Sequence, residues 1–445
     1  MSLHSVGSDT HYILPASFDS VPEAFRSNKT AKPIPCSLQT VNVPSLSGPQ
    51  TLGGSSIIQV PCGAGAGILM NPYIRFTLQM TGGSSAANAS WSFKGACQSA
   101  TAAINRISTY VNSVQIDNQQ NAWALYDTVL SHSTSADWLN HDGTLMLGSG
   151  VAYYQPAAGA ASSQSYTFAV PLLGLLGSQQ ASPLYLINGT LQVQLDWASS
   201  VYQVYTAGST DPAFTGMSIT NVQLVYDKVM PEEAFVSKVR HDMMGGAKYV
   251  FGYTNFATTV LPMTFGAGGG TLNLNYGLNV SSLRGVVMAQ YPTSTLTTSG
   301  AAPSISNCLN QYQVSLDGRL ISSLALNSNT DPVLVFAELQ KSFGRIFDAS
   351  ITDLVQNSAP AASASNNANA SGGTFLTNYF AAGASCQRVN EGLCFQGSPC
   401  SILNIQVGWA GSSGAITQVS STNYIILISD FQMLIDAVGS VEIVR

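Results

Sequence analysis

Val193-Gln194-Leu195-Asp196-Trp197-Ala198 returns later in the chain as Ile405-Gln406-Val407-Gly408-Trp409-Ala410. Apolar and polar residues alternate in both copies, the pattern of a strand with one face on a core. Each copy ends on Trp-Ala in a chain with only five tryptophans, and the offset between the two is 409 − 197 = 212. Val114-Gln115-Ile116-Asp117-Asn118 matches Val314-Ser315-Leu316-Asp317-Gly318 at an offset of 200. Thr220-Asn221-Val222-Gln223-Leu224 matches Thr422-Asn423-Tyr424-Ile425-Ile426 at an offset of 202, and an aspartate closes both copies, Asp227 and Asp430. Solenoid and propeller repeats are about 20–50 residues long. This repeat has the length of a domain, so the chain reads as two similar domains in tandem.

Strand signals dominate both halves. Ile74 to Met80 alternates strictly, as do Leu191 to Leu195 and Val222 to Tyr226, whereas Tyr424 to Ile428 is a continuous apolar run expected of a strand buried on both faces. Asp117-Asn118 and Asp317-Gly318 follow alternating segments and tolerate positive φ, so a strand followed by a tight turn is expected at both places. Three helices are expected. One spans about Ala122 to Leu130. A second, from Pro231 to Arg240, has acids at its start and bases at its end, matching the helix dipole. It lies between the repeats as a connector. The third begins at Asp331-Pro332, a natural cap and first residue, and runs to about Phe343. The resulting division is an extended, proline-containing arm over 1–45, a first sandwich over 46–230, a connector over 231–246 and a second sandwich over 247–445. Long polar loops are expected around 82–100, 155–165, 290–305 and 359–400.

Charged residues make up 9% of the chain, against a usual share of about 25%. Such a neutral, polar surface suits packing against other copies, because charge is what keeps soluble monomers apart. The formal net charge is −6, and the first 35 residues carry only Arg26, Lys29 and Lys32 as bases. Neutralising phosphates needs clustered Lys or Arg, so direct nucleic-acid binding is not expected. The start of the chain shows no basic segment followed by an apolar one, so no secretory leader is read there and a cytoplasmic site of synthesis is expected.

The chemistry-bearing residues do not assemble into a catalytic pattern. The five histidines are dispersed, with His132 and His141 in a loop-like region and His241-Asp242 at the end of the connector helix. Gly63-Ala64-Gly65-Ala66-Gly67 lacks the spacing and the following helix of a dinucleotide loop, and Gly411-Ser412-Ser413-Gly414 is no nucleophile elbow. Asp117 and Asp317 have a paired-carboxylate reading, but a local turn hydrogen bond fits their dipeptides better. Trp197 and Trp409 have a sugar-stacking reading, and covering a core edge fits them better. Cys386, Cys394 and Cys400 cluster in a loop whose spacing matches no common zinc pattern; a disulfide among them stays open. No catalytic, cofactor or metal residue is assigned, and five Asn-x-Ser/Thr sequons, at Asn28, Asn88, Asn188, Asn279 and Asn369, are expected to go unused.

Particular stretches resemble the double jelly-roll major capsid proteins, the lineage shared by adenoviruses, tailless lipid-containing phages, virophages, Polinton-like viruses and giant-virus relatives. Ile104 to Val111, leading into Val114-Gln115-Ile116-Asp117 and then an apolar helix, resembles the strand-turn-helix passage of their first roll. Leu184 to Asp196 resembles its late strands, and Tyr424 to Val444, with Asp430 and Gly439, resembles the end of the second. The resemblance implies an all-β fold of two tandem eight-stranded jelly-roll sandwiches with a few short helices. It implies a homotrimer with a pseudo-hexagonal outline that tiles an icosahedral shell. Its partners would be neighbouring capsomers, minor capsid and penton proteins, and an internal membrane reached by the N-terminal arm. The place implied is the virion, assembled in the host cytoplasm or nucleus. The competing reading, a secreted or surface tandem-sandwich adhesin or lectin, requires a leader, formed disulfides and used sequons. A tandem β-domain enzyme requires a His and carboxylate cluster in each copy.

Overall fold

The computed structural model describes residues 12–13, 36–63, 65–82, 89–154, 164–177, 182–208, 211–264, 269–322, 324–343, 373–387, 397–411 and 419–445. The first half contains eight principal strands: β1 (Cys36–Pro44), β2 (Ser55–Pro61), β3 (Ile68–Thr81), β4 (Ile104–Val111), β5 (Val114–Gln120), β6 (Ser165–Pro171), β7 (Thr190–Trp197) and β8 (Gly216–Pro231). They pair antiparallel into two sheets, ordered β1-β8-β3-β6 and β2-β7-β4-β5. Alternation decides which side faces in. Leu191, Val193, Leu195 and Trp197 of β7 are 1, 0, 0 and 1% exposed, and Ile74, Phe76, Leu78 and Met80 of β3 no more than 3%. The two sheets meet where Phe76 packs on Trp197, ring centroids 5.1 Å apart. Each such side chain contributes about 1.5–3 kcal/mol by leaving water.

The second half builds the same topology with β9 (Lys248–Met263), β10 (Gly269–Pro292), β11 (Leu309–Leu316), β12 (Arg319–Leu320), β13 (Ala381–Ser385), β14 (Ser398–Ala410) and β15 (Ser421–Ile435). Here β10 fills two strand positions. Its Gly269–Gly277 part pairs with β14, and its Leu283–Pro292 part pairs with β15, with register shifts between. Asn279, at φ 49°, takes the bend. The orders are β9-β15-β10-β13 and β10-β14-β11-β12. Counted along each half, both sandwiches run 1-8-3-6 and 2-7-4-5, the jelly-roll arrangement of two interlocked Greek keys.

Internal register confirms the match between the Trp-Ala motifs. Trp197 faces Ile104, the first residue of β4, and Trp409 faces Leu309, the first residue of β11. The following N–H is used identically: Ala198 donates to Ala103 O at 2.9 Å and Ala410 to Cys308 O at 3.0 Å. The match at offset 200 needs correction. Asp317-Gly318, at φ 48° and 78°, is the turn between β11 and β12, but its counterpart is Asn112-Ser113, at φ 49° and 68°, between β4 and β5. Both are two-residue turns with positive φ at each central residue, which suits the twist of a hairpin. Val114–Asn118 therefore lies in the strand after the turn, and Asp117 is not a turn residue. A period of two carries no mark of which neighbouring strand it belongs to, so the two alternations align one strand out of step.

Among the described residues three longer helices punctuate the strands: α1 (Ala122–Ser133), α2 (Glu233–Met244) and α3 (Pro332–Ser342). α1 and α3 occupy equivalent places, after the β4-β5 and β11-β12 hairpins. Asp331 caps α3 as expected, accepting Leu334 N–H at 2.9 Å. Pro231, expected in the first turn of the connector, instead ends β8 opposite Cys36. β1 starts inside the segment expected to be an arm. Within that segment, Tyr12–Ile13 runs parallel beside Lys248–Tyr249 of β9, and the other residues before Cys36 lie outside the described residues.

Candidate functional site: the seam between the two sandwiches

α1 lies between the halves, and all of its residues from Ala122 to His132 are buried. Its Leu125 and Val129 join the core of the second half. Trp123 packs on Tyr291 and Tyr424 of the second half, at ring-centroid distances of 4.9 and 5.2 Å. The Tyr424–Ile428 run is buried on both sides because one side is its own core and the other is this seam. Farther along, Tyr249, Phe251 and Tyr253 of β9 with Phe431, Met433 and Ile435 of β15 merge into the core of the first half. Tyr253 Oη donates to Ile116 O on β5 at 3.1 Å.

Polar groups pin the apolar seam. Asp127 of α1 accepts the N–H groups of Ala96 and Cys97, at 3.0 and 2.8 Å, and the hydroxyl of Tyr291 from the other half at 2.8 Å. Burial pushes its carboxyl upward, and these donors pull it back. Lys94, 2% exposed, points its ammonium at three backbone carbonyls, donating to Tyr202 O, Thr295 O and Thr298 O, the last at 2.6 Å. Two of the three belong to the second half. Ala207 N–H adds a bond to Ser299 O at 2.8 Å, and Ser299 Oγ donates to Asp211. The 290–305 stretch, expected as an outward loop, is thus docked on the first half through its Thr293–Ser299 part.

The structure separates the other residues singled out in the sequence. His132 is in α1 rather than a loop. Its imidazole is 1% exposed, hydrogen-bonded to the Tyr379 backbone and set against the Phe375 ring, with Nδ1 lacking a partner. Burial pushes its pKa down to about 4. His141 precedes the Asp142–Leu147 turn, and His241 sits in the last turn of α2. Asp117 is buried in β5. Its Oδ2 accepts Gln119 Nε2 at 3.0 Å and Leu175 N at 3.2 Å, Oδ1 has no partner, and burial pushes it up to about 6. Asp317 lies in the expected turn, but its carboxylate accepts Ser401 and Ile402 N–H of the adjacent β14, at 3.1 and 2.8 Å, in place of the local turn hydrogen bond expected. Trp197 and Trp409 are core residues whose Nε1 groups donate to Ser56 Oγ at 3.0 Å and Gln290 Oε1 at 3.1 Å.

Cys386 and Cys400 are free and buried, and burial raises their thiols to about 12 and 11, which keeps them protonated and unreactive. Cys394 lies outside the described residues, as do most of the 155–165 and 359–374 loops and residues 412–418. Among the described residues, no group of three or more His, Cys, Asp or Glu is placed to hold a metal ion. A polar cleft of about 500 Å³ opens beside the β11-β12 turn, lined in part by Asp317, Arg319, Cys386 and Gln387. Among its described lining residues the one thiol, Cys386, is held protonated by burial. The seam, with its buried polar pins, is the most elaborated site among the described residues.

No protein-family model matches the chain, and no curated protein sequence matches it. Solved structures do. A chain of the PBCV-1 virus capsid is 12% identical, with 93% of this chain and 97% of that one covered and a TM-score of 0.61. The Faustovirus major capsid protein is 8% identical, with 91% and 92% covered and a TM-score of 0.57. The mavirus major capsid protein is 10% identical, with 95% and 94% covered and a TM-score of 0.52. Identities this low speak to the fold, and the agreement spans nearly the full length of each chain. With its paired 1-8-3-6 and 2-7-4-5 sheets, the chain has the double jelly-roll fold found in these capsid proteins.

Proposed function

We propose that this chain is a viral major capsid protein that forms trimeric, pseudo-hexagonal capsomers tiling an icosahedral shell. The observation that carries the reading is that the seam uses only half of the surfaces available to it. Tyr253 faces Phe431 across β9 and β15, and Leu38 faces Val229 across β1 and β8. Phe431 follows Val229 at an offset of 202, the offset of the repeated strand, so Leu38 is the counterpart of Tyr253. Tyr253 is 4% exposed in the seam, whereas Leu38 is 70% exposed. Likewise Trp123 and Val333 are each the second residue of their helix, and they are 5% and 71% exposed. Leu38 on the first half and Val333 on the second are thus exposed where their counterparts are buried in the seam. A joint between unlike surfaces closes into a ring when its rotation divides a full turn, which is what the capsomer reading requires of this one. Three chains of two rolls supply six such joints.

In this reading the segment before β1 reaches neighbours or an internal membrane, 231–246 connects the rolls, and minor capsid and penton proteins are further partners. The virion is its place, and no catalytic, cofactor or metal site is assigned. The tandem-sandwich adhesin or lectin reading gains no support from the structures found. The test is solution mass by light scattering, with negative-stain images of the same peak. A particle with three times the 46.6 kDa mass of one chain and a hexagonal outline supports the reading. A stable monomer overturns it.

A further inference from the structure

The second sheet of each sandwich turns one face to its own core and the other outward, and the outward face is rich in amides. In the first half, cross-strand register lines up Gln59, Gln192, Tyr110 and Gln115 in one row, and Ile57, Gln194, Ser108 and Asn118 in the next, where Ser108 is buried beneath the Asn118 amide it bonds. In the second half the rows are Asn273-Gln406-Gln313 and Asn275-Asn404-Ser315. Gln194 and Gln406 are related by the same offset as the two tryptophans, as are Gln192 and Asn404, so the rows occupy the same place in both rolls. The next row of the first half carries Arg106 and Asp196, which neutralise each other at 2.6 Å. The two rows of the second half contain no ionisable side chain.

Three features point to what meets these faces. Asparagine is depleted in strands, yet Asn273, Asn275 and Asn404 stand together on one face. A local rule broken at one place marks a function rather than a fold requirement. A side-chain amide offers two donors and two lone pairs, so a neutral amide face is complementary to another copy of itself, as a face of one charge sign is not. Finally, a ring built from the seam joint covers the β1-β8 face and the β12 edge of every chain, leaving the second-sheet faces on the perimeter.

We propose that these two amide faces are the lateral contacts through which one capsomer meets the next, a second copy of this chain being the partner. The inference rests on the capsomer reading. The test uses the full chain and a double variant, Gln194→Lys and Gln406→Lys, which puts like charges at equivalent outward positions on both rolls. Light scattering first checks that wild type and variant form the same trimer. Sedimentation velocity then follows association between trimers as concentration rises, at about 0.05 M and about 0.5 M salt, on either side of effective screening. The expected result is an intact trimer whose self-association is about tenfold weaker or more at low salt, as like charges brought face to face demand. It should recover in part at high salt. A wild-type trimer that does not self-associate, or a variant that associates as the wild type does, overturns the proposal while leaving the capsomer reading standing. Glycan binding lost in the variant, with self-association unchanged, overturns it in favour of a carbohydrate surface. Wild-type protein that stays monomeric removes the capsomer reading itself.

Discussion

Asp127 and Tyr291 are 164 residues apart in sequence and 2.8 Å apart in space. Their bond is one of several direct polar links across the seam, and both groups are buried. Tyr291→Phe removes the hydroxyl but leaves Asp127 two backbone N–H partners. It is expected to lower stability by about 1.5–3 kcal/mol, the range for a hydrogen bond to a charged group. Asp127→Ala leaves Ala96 N–H, Cys97 N–H and the Tyr291 hydroxyl without their acceptor, and should cost more. Urea melts of the two variants check the order; equal losses would show that the hydroxyl carries the whole effect.

Burial works against the ionised form of Asp117, and its hydrogen bonds from Gln119 and Leu175 offset this only in part. Its folded pKa is raised to about 6, above its unfolded value of about 4. Its contribution is therefore fully present below pH about 4 and lost as pH rises through about 6. Asp117→Asn should stabilise the protein at pH 7–8 and give no gain near pH 4. Thermal melts across that window decide it.

His132 titrates with the opposite sign. Its folded pKa, about 4, is depressed from an ordinary value near 6.5, so its neutral form supports the fold above about pH 6.5. That support is lost as pH falls toward 4. His132→Phe keeps the packing on Phe375 and should flatten the acid limb of the stability profile. If the acid limb is unchanged, other groups set the acid sensitivity of the seam.

The two hairpin turns offer a matched pair of tests. Ser113 holds φ 68° where Gly318 holds φ 78°. A left-handed conformation costs a residue with a Cβ roughly 1–2 kcal/mol. Ser113→Gly should thus raise the melting temperature of the protein, and Gly318→Ala should lower it. Both effects are read in the same calorimetric experiment.

Much of the fold is legible in the sequence because its strands follow rules that act locally. Trp197 and Trp409 announce equivalent strands through alternation and a shared Trp-Ala end. Asp331-Pro332 announces α3 through capping chemistry. The near-continuous apolar run from Ala122 to Leu130 also signals burial all round, although not against what. The seam is less legible because its polar pins look ordinary in sequence. Asp127 could sit on any helix surface, and Lys94 lies in a short connection. Only the second half, remote along the chain, supplies Tyr291, Thr295 and Thr298. His132 reads as loop because Ser131, Ser133 and Thr134 surround it, yet it belongs to α1. Asp117 shows the limit of periodicity, which fixes the facing of a residue but not its strand.

β10 gives the second sandwich a property the first lacks. Elsewhere the two sheets of a roll are joined through turns and side-chain contact, but here one unbroken backbone crosses from sheet to sheet at Asn279. In the first sandwich the same two positions are separate strands, β2 and β3, joined by a connection outside the sheets. A crossing held by strand pairing on both sides of the bend should leave the two sheets of the second roll less free to swing against each other than those of the first.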